Sequence, residues 1–439
     1  MTATPEQDAA PPVTQTREFW VVLAYAVVLG VFGAFAGLIF VGAITGGGKW
    51  YSDSEPGWFG GHWWWVAVGA AAGVGVGLVR RLTSLPWKTP GMFDDLQTEE
   101  VDFGLVPGLA AVSAVSLIGG ASLGPEKALG AMGGGMGTWL AQRRRLEKED
   151  AHVNTLAGFA GAYGGLFSST VIVVMLIMEV ARPGGRRFIK SLAAQIVASS
   201  VSFAIYFVIA GAVFLDEYKM PKYTFHDWQL VAAIPLGVFA AVVVTLLVVV
   251  TLVAAQLFER LKVPDIAKSA LGGVTFGVVG VALPLTMFSG GDQLKTELSH
   301  AGTLGLGLLV AALIGKMLTF GVSQGSGFVG GPIFPSLFIG GTAGVIVHHI
   351  IPGVPLGLAF TCMLAAVPGA LAAAPFAMVL MAAFLTQIGV LQTAPILIAV
   401  ITAFLTMEGV KYIMASRKQA RAAAAKPDAR ATPETPAGA

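Results

Sequence analysis

Charged residues are absent from a long part of this chain. Residues 317–407 contain no Asp, Glu, Lys or Arg, whereas a single crossing of a bilayer needs only about 20 apolar residues. Over the whole sequence, charged residues make up 12% and hydrophobic residues 55%, which excludes an ordinary soluble domain with roughly 25% charged residues. We therefore expect an all-α polytopic membrane protein with roughly 10 to 14 membrane-embedded helical segments.

Cysteine, metal-ligand patterns and catalytic groups are also scarce. The chain has one cysteine, Cys362, which excludes a disulfide framework, and its histidines lack the spacing of metal ligands. The apolar segments contain no nucleophile–base pair and no nucleotide-binding loop. The sequence thus predicts no metal and no cofactor, and it disfavours an enzyme. No basic stripe interleaved with aromatic residues is present, so nucleic acid is not an expected partner.

The two ends of the chain are polar. We expect residues 1–16, which are rich in Pro and polar residues, to form a disordered N-terminal tail without a cleavable signal peptide, and residues 416–439 to form a polar C-terminal tail. Lys and Arg in short loops favour the cytoplasmic side of a membrane. Clusters of them lie at residues 80–81, 143–148, 182–190, 260–268 and 417–421. We expect a multi-pass, lipid-embedded protein of the cell membrane with both termini in the cytoplasm.

Glycine and proline are concentrated inside the uncharged run, in the segment GVSQGSGFVGGPIFPSLFIGG at residues 321–341. These residues break helices, and a broken helix at membrane depth persists only where protein or a water-filled cavity satisfies the freed backbone groups. Such breaks are typical of ion and substrate sites in transporters.

An internal repeat accompanies this segment. ASLGPEKALGAMGGGMG at residues 121–137 resembles GFVGGPIFPSLFIGGTAG at residues 327–344, and each is followed by a small-residue turn and a long apolar helix. This pattern predicts two inverted-topology halves, residues 17–215 and 228–415, unless it reflects chance similarity between Ala- and Gly-rich helices.

Each Gly-Pro pair has a physical role in such a repeat. Pro suits the first turn of a helix, and Gly lets a ligand approach the backbone closely. Two helices that begin at one point direct their free N–H groups and positive dipole ends at it, which favours an anion. A packing kink is the alternative explanation for either pair alone.

The two motifs resemble the signature regions of the CLC chloride channel and transporter family. The resemblance implies a homodimer in which each subunit has its own pore, with chloride held by backbone N–H groups, a Ser hydroxyl and a Tyr hydroxyl. The backbone positions that match lie at the two Gly-Pro motifs: Gly124, Pro125, Gly331, Pro332, Ile333 and Phe334. Thr89 in WKTPGMF stands nearest to the Ser motif, and Tyr412 best matches the pore tyrosine.

The chain departs from the family pattern at the gate. The gating glutamate of the family precedes the Gly-Pro of the first motif, and here that position is Leu123. Glu126 follows three residues later, and Glu179 matches the inner proton-relay glutamate approximately. A simple alternative for Glu126 is a favourable charge at a helix start paired with Lys127 or Lys316. The alternative for Glu179 is a simple interfacial charge paired with Arg182 or Arg186.

We interpret the chain as an anion channel that conducts chloride passively, because Leu123 cannot carry a proton. One alternative is a chloride/proton antiporter that uses Glu126 and Glu179. Another is an unrelated solute transporter with an inverted repeat, although the uncharged run offers few groups for binding a polar solute.

Overall fold

The computed structural model describes residues 12–52, 63–185, 187–213 and 215–424. Among these residues it contains sixteen α-helices and no sheet. The first eight are α1 Arg17–Ser52, α2 Trp64–Leu82, α3 Met92–Thr98, α4 Val106–Ile118, α5 Glu126–Arg144, α6 Lys148–Leu166, α7 Thr170–Ala181 and α8 Arg187–Ala210. The second eight are α9 Trp228–Arg260, α10 Asp265–Ala282, α11 Gly291–Ser299, α12 Leu306–Gly325, α13 Ile333–Ile350, α14 Leu356–Ala372, α15 Pro375–Thr386 and α16 Thr393–Ala424.

The all-α membrane architecture is confirmed. Eight of the described helices are long and apolar enough to cross a membrane, and four shorter helices are also apolar, which agrees with the expected range. Within its most apolar stretch, α13 is 78% buried, against 33% for α1, α8, α9 and α16. The outer helices instead expose large apolar side chains such as Ile39, Val208 and Val231, as a surface in contact with lipid requires.

The helices of the two halves pack in matching pairs. Contacts of α1 with α6, α5 with α6 and α6 with α8 recur as contacts of α9 with α14, α13 with α14 and α14 with α16. Contacts between the halves follow the same order, since α2 packs against α10 and α7 packs against α15. Each helix therefore has a counterpart eight helices later, as expected from the repeat in the sequence.

Small residues at equivalent positions explain the close packing within each half. A Cβ at Gly133 or Gly137 of α5 would overlap backbone atoms of α6, and a Cβ at Gly340 or Gly344 of α13 would overlap backbone atoms of α14. Because lipid offers no hydrophobic drive for helix association, such close backbone contact is what holds membrane helices together.

The structure describes part of each terminal segment, and at the C-terminal end that part is helical. α16 continues past residue 416, where the sequence analysis placed a polar tail, because the segment RKQARAAAA is rich in Ala, Lys, Arg and Gln, which favour helix. The remainder of that tail and residues 1–11 of the other lie outside the described residues, so their conformation and cytoplasmic location stay predictions.

Candidate functional site

The two Gly-Pro turns lie against each other at the centre of the molecule. The N–H of Gly124 donates to the carbonyl of Gly331 at 2.9 Å, and the N–H of Gly331 donates to the carbonyl of Gly124 at 2.7 Å. Pro125 and Pro332 directly precede the first residues of α5 and α13. The two helices therefore begin side by side, one from each half, which is the convergence that the repeat predicts.

Glu126, the first residue of α5, directs its carboxyl group into this junction. The side chain is completely buried, and its Oε1 accepts a hydrogen bond from the backbone N–H of Ile333 at 2.6 Å. The N–H groups of Glu126 and Phe334 also interact with the carboxyl group, while Oε2 has no hydrogen-bond partner among the described residues. An acidic group thus sits at the positive end of α13, where an anion is favoured.

Two glycines make room for this carboxyl group. A Cβ at Gly331 would overlap Cδ and Cγ of Glu126, and a Cβ at Gly124 would overlap Oε2. Any larger residue at Gly331 would collide with the stem of the glutamate, and at Gly124 it would meet mainly the end of that side chain.

Aromatic side chains on α6 and directly after it contact the starts of α5 and α13. The hydroxyl of Tyr163 donates to the backbone carbonyl of Glu126 at 3.0 Å, and the ring of Phe167 stacks on that of Phe334 with centroids 6.2 Å apart. These aromatic residues were not predicted to belong to the site. Their spacing could have identified them, because Phe159, Tyr163 and Phe167 are four residues apart and lie on one side of the helix.

A cavity of about 540 Å³ reaches the second turn from one side. Thr89 and Lys127 line it together with Gly330 and Pro332, and Nζ of Lys127 donates to Oγ1 of Thr89 at 2.9 Å. The structure thus brings Thr89, selected as the nearest hydroxyl, close to the junction. Lys127 was considered only as a partner of Glu126. Its signal in the sequence is an ionisable side chain at a helix start in an apolar region, which would have identified it as a functional candidate.

Leu123 also lies at the junction. Its side chain is fully buried, and a Cβ at Gly330 would stand 2.5 Å from its Cβ, so it packs against the second turn. No ionisable group is available at this position, which leaves Glu126 as the carboxyl group beside the two turns.

Glu179 lies elsewhere, at the contact of α7 with α15. Its Oε1 accepts from the N–H of Phe376 at 2.9 Å and its Oε2 from the N–H of Ala377 at 2.8 Å. Among the described residues, Arg182 hydrogen-bonds to the backbone carbonyl of Glu179 at 3.1 Å rather than to its carboxylate, and Arg186 lies outside them. The carboxylate therefore caps the start of α15 and is not paired with Arg182.

Two other residues are not brought to the junction. Tyr412 lies on α16 with 75% of its surface exposed. Lys316 is completely buried, but it donates to the carbonyls of Thr286, Met287 and Phe288, at 2.7 to 3.2 Å. Backbone carbonyls in the second half therefore satisfy its ammonium, and it is not the counter-charge of Glu126 that was considered.

Comparison with known proteins decides the family. A family profile described as "Voltage gated chloride channel" matches residues 88–408, which include both Gly-Pro turns. The chain belongs to this family. Its CLC resemblance is confirmed, and members of the family are transporters or channels rather than enzymes. "Putative ion-transport protein YfeO" of Salmonella choleraesuis is 26% identical over 309 residues, which cover 68% of this chain and 72% of that protein.

Solved CLC structures share the fold. A slow cyanobacterial Cl⁻/H⁺ antiporter superposes with a TM-score of 0.76 at 19% identity, covering 91% of this chain and 98% of the other. A CLC-type fluoride/proton antiporter superposes with a TM-score of 0.68 at 17% identity, covering 90% and 96%. The two inverted halves with broken helices are therefore the CLC fold.

Proposed function

We propose that this CLC protein carries a small monovalent anion such as chloride across the cell membrane, and that the Glu126 carboxylate gates the path. The observation that carries the proposal is the 2.6 Å hydrogen bond from the N–H of Ile333 to Oε1 of Glu126. A negatively charged group is thereby bound at the helix start where the transported anion would bind.

Competition between two anions for one set of donors provides the gate. The start of α13 offers neutral N–H groups and a partial positive charge, which suit an anion that must be bound and released. While the carboxylate accepts the hydrogen bond from the N–H of Ile333, a transported anion cannot bind to that donor. Neutralisation or movement of the side chain frees the donors, and an anion then takes its place.

Displacement of the glutamate from position 123 to 126 is compatible with this role. Leu123 and Glu126 both lie at the contact of the two turns, and the glycines at 124 and 331 open the space that the longer side chain fills. Glu126 reaches the start of α13 from the first turn of α5, whereas a glutamate at position 123 would approach from the segment before the helix.

The hydrogen bonds of Glu179 favour a passive channel over a proton-coupled antiporter. Both of its oxygens accept backbone N–H groups of α15, so protonation would disrupt one of these hydrogen bonds. A carboxylate engaged in this way is a poor second carrier for protons. The alternative is a proton-coupled antiporter in which Glu126 and Glu179 exchange protons with the two sides.

Purified protein in liposomes tests the proposal. We expect chloride efflux in a chloride gradient, followed with an electrode, with a reversal potential that tracks chloride and not potassium. Glu126→Gln should accelerate efflux and remove its dependence on pH, because the amide remains neutral. Absence of efflux, or efflux with the same pH dependence in both proteins, would contradict the gate. Proton uptake driven by chloride in the wild type, lost in Glu126→Gln, would establish the antiporter.

We also propose a homodimer, as the family resemblance implies. The apolar side chains of Phe207 and Val208 on α8 are exposed in the single chain, as is Leu391 just before α16. These lie in residues 191–215 and 391–404, the segments with the small, apolar residues that pack tightly in lipid. Mass measurement in mild detergent tests the assembly, and a stable monomer would contradict it.

A further inference from the structure

We propose that Lys127, with Thr89, forms a second anion subsite that carries a full positive charge, on the cavity side of the junction. The inference rests on the proposed anion transport and adds a site that the backbone donors do not provide. It assigns to the lysine next to the gate a direct role in holding the transported anion.

The hydrogen-bonding capacity of Lys127 supports this site. An ammonium has three donors, and a single hydrogen bond, to Oγ1 of Thr89 at 2.9 Å, is found among the described residues. No described carboxylate forms an ion pair with it. Asp95 and Asp94 on α3 offset part of its charge from a greater distance. The remaining donors of Lys127 are therefore available to an anion in the cavity.

The charged residues that line the cavity also support an anion site. Its ionisable lining residues are Arg80, Lys88, Lys127 and Glu259. Lys88 and Glu259 pair with each other at 2.7 Å at the exposed rim, so their charges cancel. Arg80 is 6% exposed and donates to the carbonyls of Gly327, Pro86 and Trp87, while Asp265 offsets part of its charge without forming an ion pair. The buried part of the cavity thus holds two cationic groups that no described carboxylate contacts directly, which favours an anion there.

The position of Lys127 connects the cavity to the gate. Lys127 and Glu126 are consecutive residues of α5, so their side chains leave the helix in different directions, one toward the cavity and the other toward the start of α13. Pro332, directly before α13, lines the same cavity as Lys127. An anion released from the start of α13 would meet the ammonium next. The charge on Lys127 should thus increase the occupancy of the path.

Chloride titration by calorimetry, with the detergent-purified full chain, tests the subsite. We expect Lys127→Met to weaken chloride binding by about tenfold or more, since a charge–anion interaction is lost, and Lys127→Arg to stay within about threefold of the wild type. Thr89→Val, which keeps the ammonium, should weaken binding less than Lys127→Met. Lys88→Met is the matched control, because Lys88 lines the same cavity but is paired at the rim.

The outcomes separate the two proposals. Unchanged chloride binding in Lys127→Met, with normal efflux from liposomes, would overturn the second anion subsite and leave the proposed anion transport intact. Equal weakening in Lys127→Met and Lys88→Met would also overturn it, because the effect would then be general to the cavity charge. Failure of the wild type both to bind chloride and to release it would overturn both proposals. If Lys127→Met does not fold, Lys127→Gln and Lys127→Arg provide the comparison of neutral and charged side chains.

Discussion

The Gly-Pro turns of the two halves have the same backbone arrangement but different chemistry. Both place a proline directly before a helix, and each turn's glycine bonds to the other. After the proline, the first half continues with Glu126 and Lys127, and the second with the uncharged Ile333 and Phe334. Duplication thus supplies two helix starts, and later divergence gives one half the charged groups and the other half the neutral donors that receive them.

The largest effect on transport should come from closing the space between the two turns. In Gly331→Ala the new methyl group would collide with Cδ and Cγ of Glu126, the stem of the side chain, and displace the carboxyl group. We expect chloride efflux to change by roughly tenfold or more, as overpacking costs of 1–3 kcal/mol imply. Gly124→Ala meets mainly Oε2 at the end of the side chain, which can rotate, so its effect should be smaller.

Gly307→Ala is the matched control for these variants, because no atom lies within 4 Å of its Cβ position. Efflux from Gly331→Ala equal to that of the wild type, together with folding as judged by gel filtration, would show that the glutamate does not occupy this space during transport.

A second comparison concerns the short helices beside the two turns. Each carries a buried carboxyl group, Asp95 on α3 and Glu297 on α11. Burial raises the pKa of Asp95 to about 6, although Lys127 acts in the opposite direction. Burial also raises the pKa of Glu297 to about 7, against the effect of a hydrogen bond from Thr342. Both carboxyl groups therefore hold a proton more strongly in the folded protein.

The sign of the pH dependence follows for Glu297. A raised pKa in the folded state contributes stability at low pH that is lost as the pH rises through about 7. We expect the wild type to unfold at a lower temperature at pH 8 than at pH 5, with a loss on the order of 3 kcal/mol. Glu297→Gln should show a smaller loss, since the amide does not titrate. The exposed Asp292→Asn on the same helix is the control, and equal pH dependence in all three proteins would refute the assignment.

The sequence was informative where the physics is local or periodic. The uncharged run predicted the membrane helices, and the matching Gly-Pro motifs predicted that Gly124 and Gly331 would meet. It was less informative where a contact joins distant residues. The bond of Glu126 to Ile333 and that of Lys127 to Thr89 depend on how the halves pack, which no local pattern encodes.

The family pattern suggested roles for Tyr412 and Glu179 but did not predict their surroundings. The order of residues along the chain suggested Tyr412 for the pore, but the side chain lies on the exposed surface of α16. Glu179 has the approximate position of a proton-relay residue, and its carboxylate caps α15; its role in proton relay stays a prediction. Neither surrounding could be read from the apolar composition of the neighbouring sequence, which is much the same for a buried and a lipid-facing helix.

The smallest predicted effect concerns how the halves cap each other's helices. Ser169 caps its own helix α7, accepting from the N–H of Ile172 at 3.3 Å, whereas α15 is capped by Glu179 from the other half. Glu179→Gln should lose one of two hydrogen bonds and destabilise the protein by about 1–2 kcal/mol. Ser169→Ala, which removes one long hydrogen bond, should cost about 0.5–1 kcal/mol. Thermal unfolding in detergent measures both, with Glu408→Gln on α16 as a control for an exposed glutamate.

A larger loss of stability for Ser169→Ala than for Glu179→Gln would reverse the expected order of the two caps. Normal stability of Glu179→Gln, with proton uptake abolished, would instead assign Glu179 to proton transfer and favour the antiporter.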